Sequence, residues 1–219
     1  MVLTFSQSMC ILLSRGRRMV RISKASEERK QEIIESAQTL FLEKGYLKTK
    51  VSDIVKHIGV SQGVFYYYFS SKEAVVEEII DLYMNLHLNA ARAVLKKKNL
   101  SPLEKLKEMA ERQFGINQQE NYNIHAIKGV DIHERILNRF VIDYIPLMLE
   151  ALDKKEDELT RLRFEIFVTA GNVLLDPGIF AWSSLERNKR IDGLIDMMEK
   201  TLELPDGAFS FYRTLMGYV

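Results

Sequence analysis

The side chains that could do chemistry in this chain are concentrated in Thr49–Lys72, TKVSDIVKHIGVSQGVFYYYFSSK. Lysines, serines, a glutamine and three consecutive tyrosines share this short stretch. Ammonium, hydroxyl and amide groups of this kind bind phosphate oxygens and base edges. Bond-breaking chemistry needs more, and no Ser-His-Asp, Cys-His or glycine-rich phosphate-loop pattern stands in a supporting context. No catalytic residue and no cofactor is therefore assigned, and the chain is not read as an enzyme. The single cysteine, Cys10, leaves no internal disulfide or cysteine-based zinc site to build. His125 and His133 have ligand-type side chains near Asp131, but they lie eight residues apart rather than four. A histidine bonded to a backbone carbonyl is the simpler reading, and no metal is assigned.

Two short helices and a tight turn must position these groups. Val51, Ile54, Val55 and Ile58 recur at helical spacing. Gly59 ends that helix, because glycine accepts the left-handed conformation that a helix C-terminus often needs. Ser61 is a suitable N-cap for a second helix, roughly Gln62 to Phe69. That helix carries Phe65, Tyr66, Tyr67, Tyr68 and Phe69. Five aromatics cannot all be buried on one side, so Phe65, Tyr68 and Phe69 are assigned to the core and Tyr66 and Tyr67 to the outer face. A helix-turn-helix of this kind places its second helix in the DNA major groove.

The rest of the chain reads as helices. Its 219 residues are 47% hydrophobic, 28% charged and carry only 11 glycines and 4 prolines, a composition that favours an all-α fold. Charge is uneven: 12 Lys/Arg against 6 Asp/Glu from Arg15 to Lys72 give +6, so the overall +1 leaves −5 on residues 73–219. A basic end on an acidic body suits a protein that meets phosphate at one end; chance clustering on a solvated face is the alternative. No apolar run approaches the ~18 residues of a membrane span.

Residues 1–24 read as a disordered extension. Arg15-Gly16-Arg17-Arg18 can be written in purine-only codons just upstream of Met19, as a translated ribosome-binding site would be, so Met19 is the expected native start. A basic arm reaching DNA is the competing reading, and Arg21 and Lys24 suit phosphate contact. A first helix is expected from Ser26, its cap, to Lys44, with Ile33, Ile34, Ala37, Leu40 and Phe41 on one face. Ser70 and Glu73 form a capping-box pattern that opens a long helix to about Lys98. Further helices are expected from Pro102, over Ile124–Ala151 with a kink at Pro146, over Leu159–Leu175 and over Leu185–Leu204. Asp176-Pro177-Gly178 breaks the chain between the last two. The aromatic tail after Pro205 is expected to pack on another surface, which the sequence does not identify.

Over residues 29–76 the sequence resembles the tetracycline-repressor (TetR/AcrR) family of bacterial transcriptional regulators. The resemblance is carried by Phe41, Gly45-Tyr46, Asp53-Ile54-Val55, Gly59-Val60-Ser61, Phe65-Tyr66-Tyr67-Tyr68-Phe69 and Ser71-Lys72-Glu73 at the family's spacing. The run Leu175–Phe180 looks like a segment of some members' C-terminal halves. Three positions depart from the pattern: Lys50 and Val64 stand where the family often has threonine, and Ser52 where it often has arginine. Lys50 has no oxygen to cap with, so Thr49 or Ser52 is expected to do that work. Lys50, Ser52 and Val64 are positions that tune base preference.

The resemblance implies a DNA-binding head at 25–72 and a helical ligand-binding and dimerisation domain at 73–219. It implies that Gln62 and Gly63 lie at the floor of the major groove, with Val64 near a thymine methyl. It places Tyr66 and Lys72 on phosphates and Tyr67 on a phosphate or base edge. An apolar or amphipathic effector is expected near Met84, His87, Phe114, His125, His133 and Phe140. Ile191, Leu194, Ile195 and Met198 are expected either to pair two copies or to fill an internal core. The implied function is a cytoplasmic, ligand-responsive repressor that binds a near-palindromic operator as a homodimer, without membrane attachment. A helical adaptor that binds protein rather than DNA is the rival from another class.

Overall fold

A computed structural model describes residues 17–117, 124, 127–154, 157–175 and 183–216, with side chains from Ser26 onward and, near 175, as far as Gly171. All regular structure among them is helical. Cys10, His125 and Asp176–Phe180 lie outside the described residues.

α1 (Arg17–Lys44), α2 (Val51–His57) and α3 (Gln62–Tyr68) build the N-terminal head. Helical backbone already begins at Arg17, so Ser26 lies inside α1 rather than at its cap. The expected apolar face is present: Ile33, Ile34, Ala37, Leu40 and Phe41 are all buried against Ile54, Val55, Phe65 and Phe69. Full burial of a side chain such as Phe41 or Phe65 contributes about 1.5–3 kcal/mol. Two hydroxyls that the apolar pattern could not place lock the head. Ser36 Oγ donates to the Ile54 carbonyl at 3.2 Å and lies 2.9 Å from His57 Nδ1. Thr49 Oγ1 donates to the carbonyls of Gly45 (2.9 Å) and Leu40 (3.2 Å), so Thr49 ties α2 back to α1 instead of capping it.

α4 (Lys72–Leu95) joins head to body. Its cap is Ser71, whose side chain accepts the Ala74 N–H at 3.1 Å, and not Ser70. Glu73 is thereby free of capping and bonds elsewhere. The body continues with α5 (Pro102–Asn117), α6 (Ile132–Arg139), a π-helical turn (Phe140–Tyr144), α7 (Ile145–Ala151), α8 (Glu158–Leu175), α9 (Ser184–Thr201) and α10 (Phe211–Leu215). The single helical run expected from Ile124 is broken before α6, where Gly129 takes φ +87°. Pro146, which has no N–H to donate, sits in the first turn of α7, and the wider π turn directly before it supplies the break in hydrogen-bonding register.

The aromatic tail is packed, and the structure supplies the surface the sequence left unnamed: Phe209 and Tyr212 are buried, with Phe209 stacked 6.5 Å from Phe167 of α8. Buried Glu199 of α9 holds this tail by accepting the N–H groups of Gly207 (2.9 Å) and Phe209 (2.7 Å). Satisfying both oxygens offsets the cost of burying a carboxylate.

Candidate nucleic-acid interface

The α2–α3 turn sets the geometry of the outer face. Gly59 adopts φ +69°, Val60 N–H reaches the Val55 carbonyl (2.9 Å) and Gly59 N–H the Lys56 carbonyl (3.3 Å). This is a Schellman ending, and a side chain at Gly59 would be strained at that φ. Ser61 occupies the N-cap position of α3, but its side chain makes no capping bond. The two helices then alternate sharply between buried and open residues. Phe65 and Phe69 are buried and Tyr68 half-buried, whereas Tyr66 is 56% and Tyr67 79% exposed. Gln62 and Gly63 are also exposed, and with Tyr66 and Tyr67, three and four residues on, they form one face of α3. Val64 is half-buried against the core, so it offers this face only part of its surface.

The side chains of Lys50, the residue before α2, and of Ser52 and Lys56 on α2 are exposed as well. Lys50 is the N-cap residue; lacking an acceptor it makes no side-chain cap, and its backbone N–H is taken by the Asp53 carboxylate at 3.0 Å. Ser52 supplies no cap either.

Lys72 differs from its assignment. Its ammonium turns inward, donating to the carbonyls of Tyr46 (2.6 Å) and Thr49 (2.7 Å), and lies 3.9 Å over the Tyr46 ring. Burial lowers its pKa. Two of its three donors are spent on the head's own backbone. Tyr46 in turn donates its hydroxyl to Glu73 at 2.6 Å. Burial and that bond push Tyr46 up to about 12, and the same bond, with Arg135 behind it, holds Glu73 below the ordinary carboxylate range. Sequence reasoning missed Arg135 and the Tyr46–Glu73 bond, because 27 residues separate the tyrosine from its carboxylate and 62 separate the arginine from it.

In the body, Met84, His87 and Phe140 are buried. The His87 ring lies 4.5 Å from Tyr83 and 6.2 Å from Phe140, which stacks at 4.3 Å on Tyr144. Phe114 is half-buried against this core. His133 is not part of the group: it is exposed on α6. The α9 stripe also has a different role from a pairing surface. Ile191, Leu194, Ile195 and Met198 are covered within the single chain, 0–6% exposed, by packing against α8 and the tail. The apolar stripe left open is on α8, where Leu159, Leu162 and Ile166 are 56%, 47% and 51% exposed.

A family model described as bacterial regulatory proteins, tetR family, matches residues 33–79, which is the head and the start of α4. The "Probable HTH-type transcriptional regulator ArpR" of Pseudomonas putida is 31% identical over 97 residues, 44% of this chain and 46% of that protein. The regulator TtgR, also of Pseudomonas putida, is 30% identical over the same shares. The regulator EthR of Mycolicibacterium smegmatis is 42% identical over 67 residues, 31% of this chain and 30% of that protein. The matches span less than half the length of these curated relatives. Among solved structures, a gamma-butyrolactone receptor superposes with TM-score 0.52 at 21% identity, covering 88% of this chain and 96% of that one. A tetR-family regulator from Streptomyces coelicolor gives 0.52 at 17% identity, covering 88% and 90%. Head and body together have the helical fold of these two solved structures, with a helix-turn-helix at the N-terminal end. Residues 33–79 are thus similar to the tetracycline-repressor (TetR/AcrR) family of regulators.

Proposed function

We propose that this chain is a cytoplasmic transcriptional regulator that binds a near-palindromic DNA operator as a homodimer and releases it in response to a small effector. The observation that carries the reading is the open face of α3, Gln62, Gly63, Tyr66 and Tyr67, held outward by a buried Phe65–Phe69 pair. An amide and an uncovered glycine backbone at the N-terminal end of a recognition helix are suited to base edges, Gln62 pairing most naturally with adenine. Tyr66 and Tyr67 then take phosphates, as does exposed Lys50, with Ser52 beside it. Lys72 serves phosphate with at most its remaining donor.

Two reading heads about one DNA turn apart require two copies of the chain. The open Leu159-Leu162-Ile166 stripe of α8 supports an apolar pairing surface, and it replaces the α9 stripe in that role. The effector is apolar or amphipathic and enters the body near Met84, His87, Phe114 and Phe140. It acts by favouring a head spacing that no longer fits the operator.

The test is a gel shift with duplex DNA from upstream of the chain's own gene across a salt series. Binding should weaken linearly in log–log form as salt rises, the mark of phosphate neutralisation. Failure to bind at low salt, or binding indifferent to salt, favours the protein-binding adaptor instead.

A further inference from the structure

We propose that Arg135 of α6 is a positioning residue for the DNA-reading helices, acting through Glu73 and Tyr46 on the loop that precedes α2; this rests on the DNA-binding reading above. The loop, residues 45–50, is gripped from both α4 and the body. From α4, the Lys72 ammonium holds the Tyr46 and Thr49 carbonyls. Thr49 directly precedes Lys50, the N-cap of α2, so this grip fixes where α2 begins. From the body, the Lys128 carbonyl accepts the Tyr46 N–H at 2.9 Å. Beside it Gly129 has φ +87°, and a Cβ there would stand 3.0 Å from Leu47 Cγ, so the two loops lie in close contact and a side chain at 129 would be strained and would have to displace Leu47.

Glu73 is the joint between the two grips. Its Oε2 accepts the Tyr46 hydroxyl, and its Oε1 pairs with the Arg135 guanidinium. Arg135 also pairs with Glu77, and Arg139, one turn on, bonds Asp81 at 2.5 Å and Asp143 at 2.8 Å. Carboxylates spaced four apart on α4 are thus matched to arginines spaced four apart on α6. These pairs are partly exposed (33% for Arg135, 43% for Glu73), and such pairs add little to folding stability. Their consequence is geometric: the register of α6 along α4 is passed through one carboxylate to Tyr46, and from Tyr46 to the start of α2. Removing the link leaves the head folded on its own apolar core and leaves Lys72 and the Lys128 carbonyl as the remaining holds on the loop, so the angle of head to body is less tightly set.

The experiment uses the full chain and duplexes selected from a random DNA library by the wild-type protein. Affinity is measured on a selected duplex and on a copy with its half-sites moved apart by a single base pair. Arg135→Gln should lower the preference for the selected spacing by about threefold or more, with the slope of log affinity on log salt unchanged, because no phosphate contact is lost. Arg135→Lys, which keeps the charge, should restore part of the preference. Tyr46→Phe, which deletes one hydroxyl and spares the core, should reproduce the change. The double variant should lose no more than either single one, since both act through the same carboxylate. Unchanged spacing preference in Arg135→Gln and Tyr46→Phe overturns the proposal, as do additive losses in the double variant. A lowered melting temperature with equal weakening on both duplexes also overturns it, because the residues then act on stability alone. If the wild-type chain selects no duplex at all, the DNA-binding reading has failed, and that result is distinct from selection followed by unaltered spacing preference.

Discussion

At the residue scale, chemistry is divided between side chains that face solvent and side chains that hold the scaffold. Gln62 belongs to the first group. Its truncation in Gln62→Ala should relax discrimination between the selected duplex and one altered at the contacted base, by about 1–3 kcal/mol for a bidentate contact. Competition binding measures this, and the salt slope should stay constant because no cation is removed. Glu73 belongs to the second group. Its pKa is lowered first by the Tyr46 hydroxyl and also by Arg135. A depressed folded-state pKa contributes stability that is complete above the unfolded value, near 4.5, and is lost as pH falls through the lower folded value. Glu73→Gln should therefore show a flatter decline of melting temperature in acid than the parent, the two curves converging below pH 4.5. Lys72 illustrates why residue type alone misassigns a role. A lysine near a recognition helix is as suitable for phosphate as for a carbonyl, and only the position of the Tyr46 and Thr49 carbonyls decided for the latter.

At the element scale, the helices were legible where periodicity was unbroken. The inward faces of α1, α2, α4 and α9 follow directly from the spacing of their apolar residues. Ends were less legible: the capping-box spacing pointed to Ser70, whereas Ser71 caps α4 and Glu73 bonds Tyr46 instead. The π turn before Pro146 is likewise a response to packing and a missing donor, with no sequence signature beyond the proline. The tail is the element whose importance is easiest to underrate. Phe209 is 1% exposed among Phe167, Phe211 and Tyr212, with its N–H held by Glu199. Phe209→Ala should destabilise the body by about 3–5 kcal/mol, seen as a lower midpoint in urea unfolding. A loss below about 1 kcal/mol, the range of ordinary surface substitutions, contradicts this account of the tail.

At the scale of the whole molecule, the two apolar stripes on α8 and α9 differ in burial. The α9 stripe fills the interior, and the α8 stripe stays open. If the α8 stripe pairs two copies as proposed, Leu162→Glu with Ile166→Glu should shift the sedimentation of the protein from dimer to monomer and weaken binding to a two-half-site duplex far more than to a single half-site. The same change on α9, at Leu194, should unfold the chain, because a carboxylate would be buried without a partner. Circular dichroism separates the two outcomes.

By itself the sequence determined the all-helical fold, the helix-turn-helix, its buried aromatics and its open face. These are local properties: helical periodicity, a glycine at a positive φ and aromatic positions three or four apart depend on neighbours within a turn or two. The tertiary structure alone decided the partners of Lys72 and Glu73, the helix whose apolar stripe stays uncovered, and the link from Arg135 to the reading head. Those outcomes depend on which surfaces meet across 20 or more residues of chain, and a periodic pattern says that a face must be buried without saying against what.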